Sequence, residues 1–329
     1  MVTLEHDNLV FRFPEVHPDA VLRINFQRTL RIPDDDKAYP LPAGLGRFSL
    51  VHIEDHHSRV PEHWLQRGGV MMPMYQSEAM WISFDCSYPM AVKIAAGKIN
   101  AVTGEGWQNG LQAEPQDYVV TPTQPWLDGF FTGPDQVRQF VASPLGDGQS
   151  VEEQLTGEAE FGGLQIIAYP LKAEIYEREQ EEERKRRSQF DSDDLGLPMF
   201  CRRSAAEPMG LGLGGKITQT IYNDSRGADA WDEASSRCFV HIINSQQWCA
   251  VTGEPVPRPP VTRKQYKSAG IPWFEYYDDS AKGLESCGVF DKLKTFAQFQ
   301  KPGSKANKSI KVPTTVKIRA SDRVSEGDF

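Results

Sequence analysis

Apolar and polar residues alternate most cleanly between positions 20 and 32. Leu22, Ile24, Phe26, Leu30 and Ile32 fall on one side, and Arg23, Asn25, Gln27, Thr29 and Arg31 on the other. A period of two marks a half-buried strand, so this stretch predicts a long bent strand or a strand pair. Arg28 is the single break in the apolar face. Pro33-Asp34-Asp35-Asp36 then turns the chain. Further on, strand-like runs at 70–75, 79–84, 91–102, 118–121, 130–131 and 137–142 are separated by Gly and Pro. Short strands at that spacing favour a sandwich or barrel over alternating βαβ units. Pro61-Glu62-His63-Trp64-Leu65 reads as a helical turn with proline at its start. Residues 238–243 read as a buried strand, and 261–269 as a short helix closed by Gly270. Residues 291–300 predict an amphipathic helix with Leu293, Phe296, Ala297 and Phe299 on its apolar side.

Two stretches, 162–170 and 214–223, open with Gly-Gly and continue in strand-forming residues. The simplest arrangement makes 164–169 and 216–222 neighbouring strands, with the residues between them an excursion from one sheet edge. That excursion begins with a charged helix over 172–189. Glu174/Arg178, Glu181/Lys185, Glu182/Arg186 and Glu183/Arg187 each place an acid four residues before a base. Each such pair contributes about 0.2–0.5 kcal/mol to a helix. The C-terminal half has almost no apolar side, so it is expected to project into solvent or reach a partner. Residues 191–214 read as a polar, Gly-rich loop.

The expected fold is therefore α+β, predominantly antiparallel β, sandwich or barrel-like, with a few peripheral helices. Its expected divisions are an N-terminal arm (1–19), a β-rich first half (20–171), the inserted helix and loop (172–213), a β-rich second half with a C-terminal helix (214–300) and a loosely packed tail (301–329). The sequence Ala101-Val102-Thr103-Gly104-Glu105 recurs as Ala250-Val251-Thr252-Gly253-Glu254, with Thr156-Gly157-Glu158 between them. A shared turn exit, with Gly supplying a positive φ, accounts for this more simply than an internal duplication.

Composition adds mainly exclusions. The 329 residues are ample for a core, and a net charge of −9 would repel a phosphate backbone, so no nucleic-acid partner is expected. No apolar run approaches the roughly 20 residues a bilayer span needs, and the first residues lack the basic and apolar regions of a secretory signal. Five widely spaced cysteines (Cys86, Cys201, Cys238, Cys249, Cys287) without a CxxC pair read as reduced thiols. A cytoplasmic protein without membrane attachment is the resulting expectation.

Motifs of catalysis and cofactor binding fail on their context. Gly210-Leu211-Gly212-Leu213-Gly214-Gly215 fits GxGxxG formally, and Lys216 nearly completes a P-loop. Both motifs need a helix to follow, whereas Lys216-Ile217-Thr218-Gln219-Thr220-Ile221 is strand-like, so a return loop is the better reading. His52, His56, His57 and His63 cluster near Glu54 and Asp55 without an HExxH, and read as solvated histidines near a turn. Asp191-Ser192-Asp193-Asp194-Leu195-Gly196 lacks ligands at two positions of a calcium loop. Cys238 and His241, three apart on a strand, point to opposite faces, and His241 reads as a hydrogen-bonded core residue. No metal and no cofactor is expected. The candidate ligand-binding residues are Trp126 and Asp128 in one aromatic segment (125–131), and Trp273, Glu275 and Asp278 in another (271–278). Aromatic faces beside carboxylates suit sugars or peptides.

Arg138-Gln139-Phe140-Val141-Ala142, then Pro144-Leu145-Gly146, Val151-Glu152-Glu153-Gln154-Leu155-Thr156-Gly157-Glu158 and Gly162-Gly163-Leu164-Gln165-Ile166 form a block. It resembles one shared by a set of microbial proteins with no established activity. The likeness reaches back to 74–81 and 116–118, and more faintly to 221–248. It implies a shared β-rich module and carries over no catalytic residue. The leading functional expectation is a non-catalytic binding or assembly protein that meets a protein partner or a second copy of itself. The alternative is an enzyme, such as a hydrolase, acting on a small molecule or glycan in an aromatic, carboxylate-lined cleft.

Overall fold

The period-two runs form strands, and most of those strands join one sheet. The computed structural model describes residues 1–35, 37–187, 208–278, 281–285, 288–299, 309–312 and 315–319. Among them, hydrogen bonding links Val2–Glu5, Asn8–Arg12, Val21–Thr29, Ala79–Asp85, Gln136–Pro144, Pro208–Thr218 and Ser236–Asn244 in that order. Leu164–Pro170, Met90–Ala96 and Ile99–Asn100 complete the path. Pairing is mostly antiparallel, the helices are few and short, and the sheet does not close into a barrel. Val70–Met74 and Ala38–Tyr39 are exceptions, each lying parallel to a neighbour. A second sheet has Leu41–Pro42, Trp273–Tyr277 and Thr315–Arg319 as its three strands.

Val21–Thr29 buries Leu22, Ile24 and Phe26, as its alternation predicts. Arg28 breaks the pattern because its guanidinium donates to the buried Glu78 carboxylate at 2.7 Å through Nε and 2.5 Å through Nη2. Residues 1–19, expected to lie as an arm, instead form a hairpin, Val2–Glu5 with Asn8–Arg12, that extends the sheet from Val21–Thr29. Within the expected loose tail, Thr315–Arg319 pairs in parallel with Trp273–Tyr277. The expected helix at 291–300 is reduced to Phe296–Phe299 after a short 3-10 turn at Phe290–Lys292.

The two Gly-Gly strands are not side-by-side neighbours. Val240 pairs with both Leu164 and Val70, and Ile242 with both Met209 and Met72. A strand residue has one partner on each side, so Val70–Met74 takes one side of Ser236–Asn244. Leu164–Pro170 and the first residues of Pro208–Thr218 share the other side end to end, and the Gly163 N–H donates to the Met209 carbonyl at 2.9 Å. Ile166, Ile167, Ile217 and Ile221 still bury into one core. The expected loop at 208–214 is instead the start of the eleven-residue strand Pro208–Thr218. Its alternate glycines leave a smooth face. A Cβ on Gly210 would lie 2.9 Å from the Ser150 Cβ, and one on Gly212 would lie 2.7 Å from both the Gln149 carbonyl and the Phe296 ring. Met209, Leu211 and Leu213 fill the core from the other face. Gly214 and Gly215 sit where pairing slips between Arg138–Lys216 and Phe140–Leu213, a β-bulge.

All three Thr-Gly-Glu sites use the same chemistry. Gly104, Gly157 and Gly253 have φ of 74°, 75° and 83°, and each N–H donates to the carbonyl four residues back. They end helical turns rather than strands, which explains the echo without a duplication.

Candidate functional site

The first aromatic segment lies where one strand changes partners. Trp126–Leu127 pairs with Ala79–Asp85, and Gly129–Gly133 pairs with Gln136–Pro144. Asp128 sits at the change, and Gly129 permits it, since a Cβ there would lie 1.9 Å from the Arg138 carbonyl. The backbone polar groups freed by the switch need partners. Gln219 supplies them: its Oε1 accepts from the Asp128 N–H at 3.0 Å, and its Nε2 donates to the Trp126 carbonyl at 3.1 Å. The Asp128 side chain gains nothing from this arrangement. It is 1% exposed, and both carboxyl oxygens are shut off from water. Burial therefore raises its pKa well above the usual carboxylate range, only partly opposed by the Trp126 side chain.

The second segment contributes its other face. Phe274 and Tyr276 turn toward Trp126, with the Tyr276 ring edge-on to the indole at 5.1 Å. Trp273 is buried against Tyr39 and Tyr266, and Glu275 pairs with Lys317 at 3.8 Å. Asp278 lies just past the strand, where its N–H donates to the Tyr222 hydroxyl at 2.8 Å. Of the sequence candidates, Trp126 and Asp128 meet in one recess, joined by Phe274 and Tyr276 instead of Trp273 and Glu275. Leu41, Thr218, Gln219 and Thr220 complete its lining, and it encloses about 10 Å³, room for one water-sized group.

Elsewhere the chemistry-bearing residues are mostly structural. His241 is buried, stacks on Trp64 at 4.6 Å, and donates from Nε2 to the Gly68 carbonyl at 3.0 Å. Burial lowers its pKa from 6.5 to about 4. A depressed histidine pKa favours the fold above the unfolded value and loses that contribution as pH falls through the folded value. The expected loss between pH 6.5 and pH 4 is about 3 kcal/mol. Urea unfolding of the chain and of His241→Gln at both pH values checks it, because parallel losses in the two would contradict the assignment. Burial also pushes the Cys238 thiol up to about 12. His52, His57 and His63 are exposed, and no three of His, Cys, Asp and Glu converge among the described residues. The 191–196 segment, Cys201 and Cys287 lie outside the described residues.

Sequence reasoning missed the buried ion pair of Lys93 and Asp117 (2.5 Å). Lys93 also donates to the Gly110 carbonyl at 2.8 Å, and Asp117 accepts from the Gln112 N–H at 2.9 Å. The pair thereby ties the 106–117 loop to the sheet. A lysine inside the unbroken apolar run of Met90–Ala96 was the available signal.

The charged helix is Ala173–Arg187. Its base is fixed: Tyr176 packs on Tyr88 at 4.1 Å, and the Glu179 carboxylate accepts two bonds of 2.8 Å from Arg226. Beyond Glu179, Gln180, Glu182 and Arg184 are exposed. Glu181 pairs with Arg184, three residues on; the side chains of Glu183, Lys185, Arg186 and Arg187 lie outside the described residues. A groove of about 520 Å³ separates this helix from the 17–19 turn, lined by His17, Asp19, Glu177, Gln180, Glu181 and Arg184.

Comparison with protein-family models, with curated proteins and with solved structures finds no match. No helix among the described residues is long and apolar enough to cross a membrane.

Proposed function

We propose that the chain is a non-catalytic binding or assembly protein that engages a protein partner, or a second copy of itself, through the outer part of helix Ala173–Arg187. The observation that carries this reading is the helix itself: its base is anchored at Tyr176 and Glu179, while the turns beyond present charged side chains beside a groove. Such a surface needs no core of its own and suits charge-complementary recognition. A reading as an enzyme on a small molecule or glycan has less support. Two-carboxylate glycoside chemistry needs carboxyl groups about 5–9 Å apart, and the recess offers Asp128 alone.

Reversing Glu177, Glu181 and Arg184 together should change folding stability by less than about 1 kcal/mol, as expected for exposed charges. The same change should remove the partner or the self-association. Light scattering and cross-linking of parent and variant read this directly. A parent that is monomeric and partnerless, or a variant that keeps every contact of the parent, would sink the proposal.

A further inference from the structure

Between the short helices Trp248–Thr252 and Arg263–Ser268 the chain runs as Glu254-Pro255-Val256-Pro257-Arg258-Pro259-Pro260, with neither helix nor strand from 255 to 262. Each of these seven residues is a proline or precedes one. Proline fixes its own φ, and the residue before it is pushed out of the helical region, so the sequence dictates an extended, polyproline II course. That helix has three residues per turn. Exposure follows the same period: Glu254, Pro257 and Pro260 are buried or half-buried, whereas Pro255, Val256, Arg258 and Pro259 are exposed, Val256 by 44%. One ridge therefore faces the body and the other two face out. The body holds the strap from the inner side. The Tyr75 hydroxyl donates to the Pro257 carbonyl at 2.6 Å, and Arg28 Nη2, itself paired with Glu78, donates to the Arg258 carbonyl at 2.7 Å. The outward groups are left open: no described residue donates to the carbonyls of Pro255, Val256 or Pro259, and none pairs with the Arg258 guanidinium.

Each exposed feature specifies something of a partner. The two outward rows repeat every three residues, about 9 Å at a rise of about 3.1 Å per residue, and present proline rings and Val256 to grooves between aromatic side chains. The open carbonyls call for donors within those grooves, which the N–H of tryptophan and the O–H of tyrosine supply. Arg258 calls for a carboxylate at the groove's border, since a guanidinium pairs with one through two parallel hydrogen bonds. A strand already pinned in the bound shape also loses little backbone freedom on docking. We propose that residues 255–259 are a docking site for a partner domain of the SH3 type, whose aromatic-lined groove takes the outward rows and whose bordering carboxylate takes Arg258. This surface shares no residue with helix Ala173–Arg187 and stands independently of the partner proposed for that helix.

The test uses the full chain and a panel of purified SH3 domains, with binding read by isothermal titration calorimetry. Saturable one-to-one binding in the micromolar range is expected for at least one domain. Arg258→Glu and Pro259→Ala should each weaken it at least tenfold. Both side chains are exposed, so the variants should unfold in urea as the parent does; should Pro259→Ala fail to fold, Arg258→Glu decides alone. Reversing Glu177, Glu181 and Arg184 on the charged helix should leave this binding unchanged, which keeps the two surfaces separable. Absence of binding across the panel, or equal binding by the parent and Arg258→Glu, would overturn the proposal.

Discussion

Replacing Lys93 by methionine should destabilise the chain by about 3–5 kcal/mol, and replacing Asp117 by leucine in the same chain should recover at least half of that loss. Lys93 and Asp117 are both buried, and their ion pair is 2.5 Å long. The attraction between them is offset by the cost of taking two charges out of water. Removing the lysine alone removes the attraction but leaves the carboxylate's desolvation unpaid, so the single variant is worse than the pair's net worth. Methionine keeps most of the volume within Met90–Ala96, which keeps packing loss small. Recovery stays incomplete because the Gly110 carbonyl and the Gln112 N–H also lose partners in the double variant. Denaturant unfolding of the two single variants and the double gives the coupling energy. Costs that simply add would mean the pair contributes nothing as a pair.

The parts legible in the sequence are those where side chains announce their surroundings. Val21–Thr29 shows its buried side at every second residue, and Ser236–Asn244 shows an apolar run long enough to be covered on both faces. The strand Pro208–Thr218 is concealed because glycine carries no pattern; Gly210, Gly212 and Gly214 look like a loop until their close neighbours are known. The pairing of strands is hidden for a different reason. Leu164–Pro170 and Pro208–Thr218 are each compatible with several neighbours, and Ser236–Asn244 pairs with both. At the candidate site, the segments were readable but their facing was not. Trp273-Phe274-Glu275-Tyr276-Tyr277 carries aromatics on both faces, so period two alone cannot say which pair meets Trp126. Pairing with Leu41–Pro42 and Thr315–Arg319 sets that choice, and the second of these was expected to be a loose tail. The same pairing turns Glu275 away from Asp128 and leaves the recess with one carboxyl.

The glycine face makes the second large prediction. Alanine at Gly215 should cost the most, about 3 kcal/mol or more, followed by alanine at Gly212 and then at Gly210, the last near 1 kcal/mol. The order follows from what each new Cβ would meet. At Gly215 it would lie 2.1 Å from the Pro33 carbonyl oxygen, so backbone on one side or the other must move, and the bulge opposite Gln139 moves with it. At Gly212 the obstacles, at 2.7 Å, are the Gln149 carbonyl and the Phe296 ring, and the ring can tilt. At Gly210 the nearest atom is the Ser150 Cβ at 2.9 Å, so the helix Val151–Thr156 need give only a little at its capping residue. Working against each cost is a gain of about 0.4–1 kcal/mol, because alanine restricts the unfolded chain. That gain is the same at all three sites and cannot set the order. It would set the sign if the glycines were there only for flexibility, as in a loop. Urea unfolding of the three single variants separates the two accounts: an ordered series of losses fits a packed central strand, while three small gains would mean that Pro208–Thr218 has room its neighbours do not use. The same strand governs what can be removed. Joining residue 173 to residue 213 would delete the first half of Pro208–Thr218. A deletion confined to 188–207 would keep Pro208–Thr218 whole.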